Sequence, residues 1–206
     1  MARTDLTFVK ATNRGGRLHS AVYNTELVNG SLGYLGDYVA GEREIRNFVK
    51  PTEADVRTKK PVIVMKPEIV YDERYKKIGD FINPANKAFP VVPLEELDGF
   101  ALSDDYFNIT TKKAGKQNVI EVGDIFVIDH TANPGLKQLK YYTANGQVLT
   151  ATNQEIPASA NHKFYFKVVA VKDSHVATYM LSNANGQLER FPGPYKMVEL
   201  TVIETV

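Results

Sequence analysis

Four consecutive apolar residues, Val62-Ile63-Val64-Met65, constrain the fold more than any other stretch of the chain. A β-branched run with no polar position predicts a strand buried on both faces, because successive strand side chains point to opposite sides. The surrounding segment, Pro61 to Tyr106, continues through Lys66-Pro67-Glu68-Ile69-Val70-Tyr71 into a charged block, Asp72-Glu73-Arg74-Tyr75-Lys76-Lys77. That block is compatible with a helix ending at Gly79, and it must be solvated or meet a partner. Asn83-Pro84-Ala85 and a second apolar run, Phe89-Pro90-Val91-Val92-Pro93-Leu94, follow. The prolines restrict this part to short or edge strands. Ser103-Asp104-Asp105 is placed to begin a helical turn by N-capping.

Elsewhere the chain alternates short strand patterns with turn signals. Leu18 to Tyr23 reads as a first strand and Leu32 to Gly36 as another, and with Asn29-Gly30 between them they can form a hairpin. Glu42 to Val49 fits either a short helical turn or an extended segment, ended by Pro51. Thr52 to Lys60 reads as a polar, basic, solvated edge. From Asn118 onward the pattern is β throughout. Ile125-Phe126-Val127-Ile128 has little polar face, Ala144-Asn145-Gly146 joins two runs as a hairpin, and Lys163 to Val171 is the longest strand candidate. Ala-Asn-Gly-Gln occurs at 144–147 and again at 184–187, which reflects shared turn chemistry without a duplication. The expected fold is mainly β, a sandwich or barrel-like domain with one or two short helices and an extended N-terminal arm. The arm covers residues 1–20 and the β-rich domain 21–206, with a subdivision point near 110–120.

Composition narrows the function. Across 206 residues, 25 Lys and Arg nearly cancel 24 Asp and Glu, so no global field favours nucleic acid or membrane. The arm is locally basic, with Arg3, Lys10, Arg14 and Arg17 against Asp5. The start lacks a signal-peptide core, and no window approaches a membrane span. Without cysteine there is no disulfide or thiolate metal site. The histidines His19, His130, His162 and His175 have no metal-ligand spacing. Asp129 to Gly135 echoes a calcium loop but sets Pro134 at the glycine position and Lys140 at the bidentate glutamate position. Neighbouring carboxylates at Asp72-Glu73, Glu95-Glu96 and Asp104-Asp105 are adjacent, so in a strand they face opposite ways. No nucleophile elbow or phosphate loop occurs. The chain is therefore expected to be non-enzymatic, without cofactor or metal. Tyr34, Tyr38, Tyr71, Tyr75 and Tyr141-Tyr142 fit either strand positions or a sugar- or protein-binding surface.

The order of several segments resembles the capsid decoration (cement) and minor head proteins of tailed bacteriophages. The residues that carry it are Val28-Asn29-Gly30-Ser31-Leu32-Gly33-Tyr34-Leu35-Gly36, Gly41-Glu42-Arg43-Glu44, Val62 to Glu73, Gly79-Asp80-Phe81-Ile82-Asn83-Pro84-Ala85 and Gly123-Asp124-Ile125-Phe126. The resemblance implies a virion structural protein, made in the host cytoplasm, that binds the major capsid protein on the outer lattice and stabilises it. Further copies of the chain are expected as partners there. The basic arm residues Arg3, Lys10, Arg14 and Arg17, and Arg74, Lys76 and Lys77 of the charged block, are the expected contacts. The competing readings are a tail or baseplate β-module that binds host polysaccharide, and a hydrolase with scattered catalytic residues.

Overall fold

The computed structural model describes residues 4–5, 18–66, 82–110, 119–144, 147–148, 161–174, 181–182, 188–189 and 195–205. A two-residue strand, β1 (Thr4–Asp5), precedes a barrel built from β2 (His19–Val22), β3 (Leu32–Tyr38), β4 (Ile45–Val49), β5 (Val62–Val64) and β6 (Phe89–Pro93). The barrel closes in the order β2-β4-β3-β5-β6. Only β2 and β4 run parallel within it. A seven-stranded sheet holds most of the rest: β7 (Gly99–Ser103), β8 (Phe107–Asn108), β9 (Ile125–Ile128), β10 (Leu139–Tyr141), β13 (Phe164–Ser174) and β16 (Tyr195–Glu204), with β1 on its edge beside β7. Two small hairpins, β11 (Thr143–Ala144) with β12 (Gln147–Val148) and β14 (Leu181–Ser182) with β15 (Leu188–Glu189), complete the strands among the described residues. The chain passes from barrel to sheet at Leu94–Asp98.

β5 shows why its sequence lacks a polar face. Val62 and Val64 point into the barrel with Ala21, Leu27, Phe48, Phe89 and Val91. Ile63, between them, joins a second core with Leu32 and Tyr34 of β3 and one face of the sheet, including Phe100, Phe126, Phe166 and Leu200. One strand thus serves two cores, and both need its apolar side chains. β9 repeats the arrangement: Phe126 and Ile128 enter the shared core, while Ile125 and Val127 pack with Tyr142 and Tyr165 on the other face. In β13 the inward set Phe164, Phe166 and Val168 is followed by a bulge at Val169 that changes the parity of the strand.

Three local expectations change. β2 pairs with β4 and β6, so the Asn29-Gly30 turn does not close a hairpin between β2 and β3. Instead Gly30 takes φ 79° and donates its N–H to Val64 O (2.9 Å). The polar stretch after Pro51 is a helix, α1 (Glu53–Thr58). Thr52 and Asp55 form a reciprocal capping box, and Val56 is buried in the shared core. Asp104–Tyr106 does form a 3-10 turn, but Ser103 makes no side-chain cap. Ile45–Val49 resolves as a strand. The Ala144-Asn145-Gly146 hairpin forms, and β13, the longest strand, covers most of the predicted run. The charged block 72–77 lies outside the described residues.

The sheet contains an internal repeat. Leu94-Glu95-Glu96-Leu97-Asp98-Gly99-Phe100-Ala101-Leu102 and Ile120-Glu121-Val122-Gly123-Asp124-Ile125-Phe126-Val127-Ile128 lead into β7 and β9 by the same turn. In each, a buried Asp accepts the Glu N–H (Glu95 to Asp98 Oδ2 and Glu121 to Asp124 Oδ2, both 2.8 Å). Leu97 N–H donates to Val202 O and Val202 N–H to Asp98 O, both at 2.9 Å. Gly123 and Asp124 hold Val168 in the same way, at 2.8 and 2.9 Å. β16 and β13 pair antiparallel between the two copies, so a local two-fold passes through the Lys167–Thr201 pair. The copies differ at the strained position. Gly123 has φ 91°, whereas Leu97 takes φ 66° with its side chain 61% exposed. A left-handed leucine costs about 1 kcal/mol or more, and an exposed one loses little packing on removal. Leu97→Gly is therefore expected to raise stability by about 0.5 kcal/mol in urea denaturation, after the entropy cost of the new glycine. Gly123→Ala is expected to lower it by about 1 kcal/mol.

Candidate functional site

Three segments far apart in the chain, Val28–Gly36, Val62–Lys66 and Ile82–Ala85, meet at Asn29. Its Nδ2 donates to Lys66 O (2.8 Å) and its Oδ1 accepts from Lys66 N–H (3.2 Å). The same Oδ1 accepts from Asn83 Nδ2 (3.2 Å), which also donates to Leu27 O (3.1 Å). Leu27 and Asn83 exchange both backbone bonds, at 3.1 and 2.7 Å, and Tyr106 Oη donates to Asn29 O. Asn29 and Asn83 are both buried. One buried amide therefore ties both flanks of residues 67–81 to the wall between the two sheets. Buried amides persist when their donors and acceptors are matched, as they largely are here.

Arg3, Lys10, Arg14 and Arg17 of the arm, and Arg74, Lys76 and Lys77 of the charged block, lie outside the described residues. Of the arm, Thr4 and Asp5 are placed on the sheet edge, opposite Leu102 and Ala101.

Tyr34, Tyr141 and Tyr142 are buried in packing, while Tyr38 is exposed beneath the Arg46 guanidinium (5.3 Å to the ring centroid). Tyr71 and Tyr75 lie outside the described residues. Burial, with Asp55 second, pushes the Tyr34 hydroxyl pKa up, and burial does the same at Tyr141 beside Asp124 and Glu121. These phenols are core groups and contribute to packing.

A groove of about 360 Å³ opens where β2 leaves β4, beyond the Val22–Asn47 pair. Asn24, Asn47 and Asn86 offer it amides, Tyr23 and Val49 offer apolar surface, and Lys50 stands at its rim. Lys50 Nζ already donates to Thr131 O (3.2 Å) and Asn133 Oδ1 (3.1 Å). Asn47 Nδ2 likewise donates to Asp37 O (3.0 Å), so the lining mixes amide, apolar and cationic groups.

The calcium-loop echo resolves into a turn that caps itself. Asp129 Oδ1 accepts from Thr131 N–H (3.1 Å), Thr131 Oγ1 (2.7 Å) and Lys140 Nζ (3.1 Å). Burial pushes this carboxyl upward, but the Thr131 bonds and Lys140 outweigh it and hold the pKa below the usual range. Among the described residues no three His, Asp or Glu side chains form a group able to hold a metal.

The sequence reading missed Asn29 as an anchor because Asn-Gly is ordinary turn chemistry. It missed Gln138, buried between Leu32 and Gly135, because nothing in Leu136-Lys137-Gln138-Leu139 marks it. Comparison with protein-family models, with curated proteins and with solved structures finds no match.

Proposed function

We propose that this chain is a non-enzymatic structural protein of a tailed-bacteriophage virion that binds the outer capsid lattice and stabilises it. The observation that supports the reading is the convergence at Asn29. Segments whose order carries the resemblance, at Val28–Gly36, Val62–Lys66 and Ile82–Ala85, form one hydrogen-bonded unit in space. A body held by one core across barrel and sheet also meets a partner preorganised, which lowers the ordering cost of binding. A ligand that binds only the assembled lattice stabilises it by mass action, and many copies multiply a weak contact. The major capsid protein is the proposed partner, with other copies of the chain beside it.

Sedimentation with assembled capsids and with unassembled coat protein tests this. The chain is expected to pellet with capsids and to raise the temperature at which they lose their contents. Reversing Arg74, Lys76 and Lys77 to Glu, or deleting residues 1–17, is expected to weaken attachment by about tenfold and to flatten its salt dependence. Failure to pellet with capsids under low salt would sink the proposal. The amide-lined groove favours a second reading, a module that binds host polysaccharide, and pelleting with host cell walls instead of capsids would select it.

A further inference from the structure

His162 sits at the joint between α1 and the sheet. Lys163 N–H donates to Val56 O in α1 (2.9 Å), and Thr205, just beyond β16, donates its N–H to Lys163 O (2.9 Å) and its hydroxyl to His162 O (3.0 Å). His162 N–H donates to Tyr165 Oη (3.3 Å). The imidazole meets the rings of Tyr142 and Tyr165 edge-on, at centroid distances of 6.4 and 6.1 Å. Both ring nitrogens are buried and neither makes a hydrogen bond. Such orphaned polar atoms are rare in folded chains. A neutral imidazole tolerates the site; an imidazolium, with two N–H donors and a charge to place, does not.

The charges around it sharpen the contrast. Lys140 faces it from β10, Arg57 from α1 and His130 from the turn after β9. Asp129 is the acidic group on that side, and its carboxylate is already engaged by Lys140 and Thr131. The neighbouring Lys163 is paired with Glu204 (3.2 Å).

We propose that His162 is an acid-sensitive latch: unprotonated, it keeps α1 fastened to the end of the sheet, and on taking up a proton it releases that joint, Val56 included, while the barrel and the rest of the shared core stay folded. Burial first, then Lys140, His130 and Arg57, hold its pKa down to about 4 from the ordinary 6.5, with Asp129 opposing weakly. The closed state therefore binds fewer protons than the open state between these values. The latch is fully fastened above pH 6.5, weakens as pH falls through the window, and changes no further below about pH 4. After allowance for partial solvent access, opening is expected to increase on the order of a hundredfold across the window.

Amide exchange in the full chain between pH 7 and 4, corrected for intrinsic rates, tests the proposal. The Lys163 amide is read beside that of Val64, which bonds Ser31 O (2.9 Å) in the barrel wall. The expected result is loss of about a hundredfold protection at Lys163 with Val64 unchanged. His162→Phe, which keeps the ring contacts but cannot titrate, is expected to abolish the response. Lys140→Met provides an independent arm, because removing that cation should move the midpoint to higher pH. The latch is overturned if His162 titrates at its ordinary value with Lys163 still protected, or if Lys163 and Val64 lose protection together. An acid response that survives in the Phe variant, or a midpoint unmoved by Lys140→Met, overturns it equally.

Discussion

Gln138→Ala is expected to lower the unfolding free energy by about 3–5 kcal/mol, because one side chain satisfies three buried backbone groups. Its Oε1 accepts from Leu32 N–H (2.9 Å) and Gly135 N–H (3.0 Å), and its Nε2 donates to Leu32 O. Toward Leu32 the amide acts as a neighbouring strand's peptide group would, continuing the ladder of β3 on the β4 side, beyond the last pair, Tyr34 with Val49. Truncation orphans a donor and an acceptor on Leu32 and a donor on Gly135. Gln138→Glu keeps both accepting contacts and loses the donated bond, setting an oxygen against Leu32 O. It should therefore destabilise too, and more at neutral pH than in acid. Urea denaturation of the two variants checks this. A Gln138→Ala loss under about 1 kcal/mol would mean that water takes over the three bonds.

Gly33→Ala is expected to cost about 3 kcal/mol, at the upper end for overpacking by one methyl group. A Cβ at Gly33 would stand 2.7 Å from Cε1 and Cε2 of Phe48 and closer still to Cζ. The Phe48 ring has no easy retreat: Tyr23 and Phe89 hold it edge-on at 5.5 and 5.8 Å. The discriminating measurement is the double variant Gly33→Ala with Phe48→Leu. If the clash is the cause, the pair should be more stable than the sum of the single effects predicts. Additive losses would place the cost in the backbone of β3.

How far these features could be read from the chain depends on range. Val62 to Met65 announced a strand buried on both faces, because two cores impose the same demand on every position. The Ala144-Asn145-Gly146 hairpin was equally legible, since its information lies within a few residues. Pairing partners were not. Asn29-Gly30 suggests a hairpin by local rules, yet β2 is claimed by β4 and β6, whose competing contacts are invisible in the turn itself. The polar stretch 52–60 looks like a solvated edge because α1 buries mainly Asp55 and Val56, too few positions to set a period. The repeated Ala-Asn-Gly-Gln is local turn chemistry, whereas the repeat that shapes the sheet carries no shared tetrapeptide. Glu95 to Asp98 and Glu121 to Asp124 share only their end residues, and their equivalence emerges from bonds to Val202 and Val168. The amide of Asn29, which joins segments far apart in the chain, was not legible, because its partners Lys66 and Asn83 lie 37 and 54 residues away.

The position of β16 has a consequence for how the chain acquires its shape during synthesis. The barrel strands are complete by Pro93, and their contacts can form as that part emerges. The larger sheet must wait, because one of its interior strands is its last one, threaded between β7 and β13. Until residue 204 is available, β7 and β13 present open edges of the kind that recruit strands from other chains. Nascent copies crowded on one message are thus most prone to misassociate in the interval before β16 arrives. Dilution of nascent copies should favour correct folding more than any increase in barrel stability.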